Sequence, residues 1–405
     1  MTQCIICNNA SIIRVIELGF HPLADTFLKK EQLSKLQKVY PLNCLLCKTC
    51  GHLQNEYFVS ANERYIESNY SYTSSNSKSA RDHWQEFAGT ICKYSGLKKG
   101  DHVIEFGSND GYLLKQFIKH GFVVSGIDPA PITVSLARKI GVKTITGFIN
   151  QQTIKRAIKQ DGKAKVIIGN NVLNHIVDLD DCIKAIRSGL RPDGIFIAEV
   201  PYLEDVIGKY LFDMIFHEHI STFSIKSIDH LFKKHGLYIT RIENIPYHGG
   251  SLRIYASLNS KLYSKSIKKL INSENKSQMF NPTTYQDFMS KIIKDKNDCL
   301  AQIYNLKSKG KKIAAVGAGA RSNTLLNFYK LDSTVIEFVT DASRHKIGKF
   351  TPLNNIQIKN DASLKHSEID VALITAWNIG KYLTDKIRKE NSNIRFIVPG
   401  KKELI

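Results

Sequence analysis

Two Cys-x-x-Cys pairs, Cys4/Cys7 and Cys47/Cys50, constrain this chain more than any other feature, because they tie two distant stretches to one point. A pair spaced this way bends around one cation, and four thiolates close a tetrahedral zinc site. Such a site keeps no open position for water, so its metal holds structure and performs no chemistry. Gly51 suits the tight turn after the last cysteine. Cys44 offers a competing Cys44-x-x-Cys47 pair and His52 could substitute, so the fourth ligand stays open at this point. Five of the eight cysteines lie in the first 50 residues, and Met1–Cys4 shows no secretory leader. Metal ligation in a reducing cytoplasm is therefore expected, not a disulfide frame.

After about residue 75 the texture changes. A helix rich in Trp84, Phe87 and Ile91 leads into apolar runs Val103–Phe106, Val123–Ile127, Val166–Ile168 and Ile195–Val200, separated by segments of helical length. Parallel strands need such crossovers, so this part reads as α/β with a doubly wound sheet. A polar bridge, Ser260–Asn281, precedes a helical stretch and a second strand–turn–helix–strand unit from Lys312 onward. Three sections are expected: 1–75, 76–260 and 261–405.

The segment Val103-Ile104-Glu105-Phe106-Gly107-Ser108-Asn109-Asp110-Gly111 is a strand ending in a glycine turn that opens a helix. Gly107 lets the backbone pass close to a ligand, and Gly111 lets the helix start against it. Asp128-Pro129 ends the next strand, where a carboxylate can accept hydrogen bonds from a ribose diol. The turn could serve a dinucleotide enzyme or a methyltransferase. Its glycine spacing disfavours the Gly-x-Gly-x-x-Gly dinucleotide form. Asn170-Asn171-Val172-Leu173-Asn174-His175 places amides at the carboxyl edge of a later strand, where ligands bind; alone, those amides could equally cap the next helix.

In Phe216-His217-Glu218-His219-Ile220-Ser221, two histidines flank a glutamate. They can form a base with an orienting carboxylate. A metal site is a thin alternative, since no helical i, i+4 spacing is present.

Taken together, the ordered motifs resemble the S-adenosylmethionine-dependent C-methyltransferases that act on nucleotide-linked 4-keto-6-deoxysugars. The resemblance spans nearly the whole chain. It rests on the two cysteine pairs, Glu105–Gly111, Asn170–His175, Glu199-Val200-Pro201-Tyr202, His217–Ser224, His248-Gly249-Gly250-Ser251-Leu252-Arg253, and Val316–Ala320 through Asp341 and Lys346-x-Gly348. It implies a class I methyltransferase sheet at 76–260, preceded by a zinc-binding domain at 1–75. A Rossmann-like domain at 261–405 would help bind the sugar nucleotide. S-adenosylmethionine and Zn2+ are the implied cofactors, with methylation at C-3 for branched-sugar biosynthesis. His219 is the implied base with Glu218 beside it, while His175 and Tyr70 or Tyr72 would polarise the ketone or relay the proton. Glu105, Gly107, Ser108, Asn109, Asp110, Gly111, Asp128, Pro129, Asn170 and Asn171 would meet the methyl donor. His217, Ser221, His248, Gly249, Arg253, Arg321 and Lys346 would meet the sugar nucleotide. Two residues depart from the family pattern: Phe216 stands where tyrosine is commoner, and Asn174 replaces a small residue.

The second turn, Val316-Gly317-Ala318-Gly319-Ala320-Arg321-Ser322, lacks the third glycine of a dinucleotide site. Arg321 at a helix start would suit a diphosphate, unless this domain only clamps. The net charge of +20 suits an anionic partner or merely lysines on solvated faces. No run reaches membrane-span length. A nucleic-acid methyltransferase would want a catalytic cysteine at the cofactor edge, and Cys92, Cys182 and Cys299 lack such a context. A monomer free of nucleic acid and membrane is expected. O-methylation of the same sugar and a zinc-stabilised binding protein are the other readings.

Overall fold

The computed structural model describes residues 3–401 apart from 68, 69, 71, 366, 367 and 392 and the side chains of 248, 378 and 390. It forms two compact units: Met1–Arg14, Cys44–Gly208 and His219–Asn281 in the first, Val15–Asn43, Lys209–Glu218 and Pro282–Ile405 in the second. Strands β1 (Ile12–His21) and β2 (Tyr40–Cys47) carry the chain between them. The 1–75 section is divided between the two units. Residues 15–43 belong with the C-terminal part because Leu28 bridges Phe350 and Asn323 Nδ2 donates to Ala24 O at 2.6 Å.

The first unit continues with β3 (Leu53–Asn55), α1 (Lys78–Tyr94), β4 (His102–Phe106), α2 (Tyr112–Lys119), β5 (Val123–Asp128), α3 (Pro131–Lys139), β6 (Thr144–Thr146), α4 (Gln151–Asp161), β7 (Ala164–Ile168), α5 (Leu179–Gly189), β8 (Leu190–Pro201) and α6 (Leu203–Gly208). After the excursion come β9 (Ser221–Thr222), α7 (Ile225–Lys234), β10 (Tyr238–Ile245), β11 (Ser251–Ser257) and α8 (Ser266–Lys276). Local chemistry explains the boundaries. Ser77 caps α1 by accepting from Ala80 N, and Pro131 opens α3, where a missing N–H costs nothing. Along α1, Trp84, Phe87, Ala88 and Ile91 form one buried face, the helical period seen in the sequence. All five residues of β4 are buried, as a central parallel strand requires.

The large sheet runs β10-β11-β8-β7-β4-β5-β6. Strands β4 to β8 are parallel, and β11 and β10 extend that sheet antiparallel at the edge. The chain winds outward from β4 to β6, then returns to start β7 on the other side of β4. The carboxyl ends of β4 and β7 therefore flank a topological switch point, where such sheets open a ligand crevice. A small antiparallel ladder joins β3 to the end of β2 (Cys44 opposite Asn55) and to β9 (Leu53 opposite Thr222).

The second unit adds α9 (Pro282–Ser308), β12 (Ile313–Val316), α10 (Ala320–Tyr329), β13 (Val339–Thr340), β14 (Ile358–Lys359), β15 (Val371–Ile374), α11 (Gly380–Glu390) and β16 (Arg395–Ile397). Its sheet, β14-β13-β12-β15-β16, is wholly parallel, with the switch between β12 and β15. Among the described residues no helix is long and apolar enough to cross a membrane.

Candidate active site and zinc centre

Cys4, Cys7, Cys47 and Cys50 turn their sulfurs to one point, all within 4.8 Å of one another. Cys4 Sγ lies 3.6 Å from Cys50 Sγ, and Cys7 Sγ 3.5 Å from Cys47 Sγ. With Zn–S near 2.3 Å, a tetrahedral site has sulfur–sulfur edges of about 3.8 Å, so the four residues fit a zinc ion. Cys44 is not a ligand: its Sγ donates to Asn55 Oδ1. His52 also stays out of the cluster, with Nε2 3.1 Å from Ser221 Oγ.

At the switch point the glycine turn follows β4. Gly107 has φ +62, and a Cβ there would meet Val172 Cγ2 at 2.2 Å, so only glycine fits against the segment after β7. Asn109 N donates to Asp128 Oδ2 at 2.9 Å, which ties the turn to the end of β5. Asp128 Oδ1 accepts from Ala130 N and Thr133 Oγ1, closing the Pro129 bend. Asn109 Nδ2 donates to Tyr72 O, while Asp110 accepts from Ser74 Oγ and from Ser75 N and Oγ. The turn thus pins the segment that carries Tyr72.

Among the described residues, several polar atoms here are buried without a hydrogen-bond partner: Glu105 Oε2, Ser108 Oγ, Asn170 Nδ2 and both amide atoms of Asn174. Buried polar groups are normally paired, so this concentration marks a place shaped for a polar ligand. Burial, with Asp110 and Asp128 nearby, raises the Glu105 carboxyl well above its usual range. Burial raises Asp128 as well. An acidic, partly protonated cradle suits a cationic ligand.

Asn170 and Asn171 are held by the next strand: Glu199 N donates to Asn170 Oδ1 at 3.0 Å, and Asn171 N donates to Glu199 O at 2.7 Å. The Glu199 side chain, fully buried, accepts from Arg253 Nε at 2.7 Å and meets His83 Nε2 at 2.8 Å. Arg253, expected to meet substrate, is thus held by Glu199 and 3% exposed.

His175 and His219 come together, their ring centroids 5.0 Å apart. Tyr65 Oη lies 2.5 Å from His175 Nδ1. Tyr70 packs 5.1 Å from Tyr65 and 6.4 Å from Tyr72, centroid to centroid. Burial, then the neighbouring His219 and Arg64, hold His175 well below the usual histidine range, so it is neutral. Tyr65, Arg64 and His83 were missed by sequence reasoning. A tyrosine-rich run was visible at 65–72, but nothing local marks which ring reaches a histidine 110 positions away.

Gly249 takes φ +96 at the end of a short turn; the side chain of His248 lies outside the described residues. Ser221 is fully buried on β9. In the second unit, His217 Nε2 lies 3.3 Å from Pro41 O, and Glu218 Oε1 accepts from Asp25 N at 3.4 Å. Arg321 grips Asp213 through Nε at 2.8 Å and Nη2 at 2.9 Å. Lys346 Nζ donates to Ala318 O at 2.9 Å on the second turn.

Three family models match in order: a zinc binding domain over residues 4–65, a methyltransferase domain over 76–242 and a C-methyltransferase C-terminal domain over 246–399. C-methyltransferase NovU of Streptomyces niveus is 28% identical over 401 residues, 98% of this chain and 95% of that protein. Ubiquinone biosynthesis O-methyltransferase of Coxiella burnetii is 24% identical over 161 residues, 37% of this chain and 69% of that one. A solved S-adenosylmethionine-dependent methyltransferase from Clostridium acetobutylicum, 15% identical, covers 44% of this chain and 92% of its own, with a TM-score of 0.36. The four-cysteine cluster, the acidic glycine-turn cradle and the three matches in sequence order agree: the chain belongs to the S-adenosylmethionine-dependent C-methyltransferases with an N-terminal zinc-binding domain.

Proposed function

We propose that this enzyme methylates C-3 of a nucleotide-linked 4-keto-6-deoxysugar, for branched-sugar biosynthesis. The observation that carries the reading is the imidazole pair His175/His219 in the unit that holds the glycine-turn cradle, with ring centroids 5.0 Å apart. A C–H beside a ketone is acidic enough for a neutral imidazole to remove when the developing enolate oxygen finds a donor. His219 takes that proton, with Glu218 as its orienting carboxylate. His175, with Tyr70 or Tyr72, faces the ketone oxygen as charge grows there. S-adenosylmethionine, when bound, supplies the electrophilic methyl group. Glu105, Ser108, Asn109, Asp110, Asp128 and Asn170 hold it, and the buried atoms without partners on Glu105, Ser108 and Asn170 are the ones it would satisfy. Zinc keeps the β3–β9 ladder in register and takes no part in the reaction. Residues 261–405 help bind the sugar nucleotide, and the enzyme works as a cytoplasmic monomer.

The whole-length similarity to a C-methyltransferase supports carbon over oxygen as the acceptor. The test is incubation with methyl-labelled S-adenosylmethionine and dTDP- or GDP-linked 4-keto-6-deoxyhexose. The expected product carries a carbon-bound methyl at C-3, with solvent deuterium exchanging into that position before transfer. His219→Asn should lower turnover by about 100-fold or more. A methyl on oxygen, or full turnover in the His219→Asn variant, sinks the reading.

A further inference from the structure

Tyr65 lies in a short π-helical turn, Glu63–Glu67, a distortion that recurs at functional sites. Its phenol oxygen reaches His175 Nδ1 at 2.5 Å, and this contact admits two arrangements: the phenol donates to Nδ1, or Nδ1–H donates to the phenol. Arg64 favours the first. Its guanidinium is 1% exposed and fixed by bonds from Nε to Val59 O at 3.1 Å and from Nη2 to the His175 carbonyl at 3.2 Å. Its Nη1 stands 3.5 Å from Tyr65 Oη, and its carbon lies 5.1 Å from that ring's centroid. A guanidinium can only donate and is always charged. Were Nδ1–H also to donate, two N–H groups would converge on one phenol oxygen; the phenol donating to Nδ1 while accepting from Arg64 avoids this.

We infer that Tyr65, backed by Arg64, is a positioning residue that holds His175 as the Nε2–H tautomer, so that His175 presents a fixed hydrogen-bond donor at the reacting ketone. The role at the ketone rests on the proposed function; the tautomer does not. A proton on Nδ1 instead would turn Nε2 into an acceptor and repel the growing oxyanion. A neutral imidazole donor avoids leaving a spare proton that could quench the enolate. Burial, the ring of His219 and the fixed cation at Arg64 all oppose a second proton on His175.

The test uses the full zinc-loaded chain with 15N-labelled histidine, the His175 signals being identified by their loss in His175→Gln. Long-range proton–nitrogen correlation should show a pyrrole-type Nε2 and a pyridine-type Nδ1 at neutral pH. Tyr65→Phe, which keeps the ring and its packing, should mix or reverse that pattern. In methyl-transfer assays the same variant should lose about 100-fold in kcat, with KM for the methyl donor and the melting temperature near native. An Nδ1–H or doubly protonated His175 in the native chain, or a pattern unchanged by Tyr65→Phe, overturns the tautomer assignment. An altered tautomer with unchanged kcat overturns the positioning role. If the native chain methylates no 4-keto sugar, the function reading fails, while the nitrogen spectra still judge the tautomer.

Discussion

The two units build the same device, a strand, a glycine turn and a helix at the switch point of a parallel sheet, and fill it differently. Around Gly107 the charged groups are acids, Glu105, Asp110 and Asp128, and buried atoms of Glu105, Ser108 and Asn170 have no partner among the described residues. Around Gly317 the turn's own groups are matched, while Asn323 Oδ1, Thr340 Oγ1 and Trp377 Nε1 have no hydrogen-bond partner among the described residues. Ala318 N donates to Asp341 Oδ2 at 3.0 Å, Lys346 Nζ reaches Ala318 O, and Thr375 Oγ1 donates to Val316 O and Gly317 O, each at 2.7 Å. Arg321 is taken up by Asp213. Among the described residues the first turn leaves an acid, a hydroxyl and an amide unmatched; the second braces its backbone and its cations and keeps unmatched polar atoms beside them. A shared backbone therefore says little about ligand binding, and the pairing of the side chains decides it.

The largest effect that tests this contrast is zinc removal. Folding free energy bound up in a four-thiolate site is on the order of 10 kcal/mol in small zinc domains. A chelator, or Cys47→Ser, should strip the melting transition of the first unit and leave that of the second. Calorimetry that shows both collapsing together would erase the distinction. Next comes Asp213→Ala, which takes away the carboxylate that Arg321 grips with two nitrogens. The second unit should lose roughly 3–5 kcal/mol in denaturant titration, with binding of the methyl donor untouched. Gly107→Ala reverses that pattern. Its Cβ would drive Val172 off by more than an ångström, so donor affinity by titration calorimetry should fall about 100-fold while the melting of the second unit stays put. Glu105→Gln is the smallest. The folded chain holds a proton on Glu105 that the unfolded chain releases above about pH 4.5, so native stability declines as pH rises from there through the raised folded value. The glutamine variant should be slightly more stable than native at neutral pH without donor, and equal to it in acid; equal stability at both pH values would show that the carboxyl is not held high.

His21 in the second unit gives the opposite slope. Burial pushes it down to about 4, so stability falls as pH drops from about 6.5 toward 4, where the unfolded imidazole takes a proton and the folded one does not. A His21→Gln variant should lose that acid sensitivity in pH-dependent unfolding.

Much of the site was readable along the chain because its chemistry is local. Cys-x-x-Cys is a spacing rule, Glu105–Gly111 is one continuous turn, and Asp128 sits one strand later. The competition between Cys44 and Cys50 was not readable, since each stands three residues from Cys47 and either could face the metal in a one-dimensional reading. Only the β2–β3 register turns Cys44 to Asn55. Arg253 and Arg321 look free in sequence, yet each is held by a carboxylate far along the chain, at Glu199 and Asp213.

The sequence alone determined that a cysteine cluster would hold zinc, the parallel α/β character and the position of the first ligand turn, because thiolate spacing, strand alternation and glycine's tolerance of positive φ act over a few residues. Tertiary structure decided which unit residues 15–43 join, which arginines are occupied, and that Tyr65 and Arg64 stand behind His175. Those outcomes depend on burial and on hydrogen bonds between groups about a hundred positions apart, and no local propensity encodes which buried donor meets which acceptor.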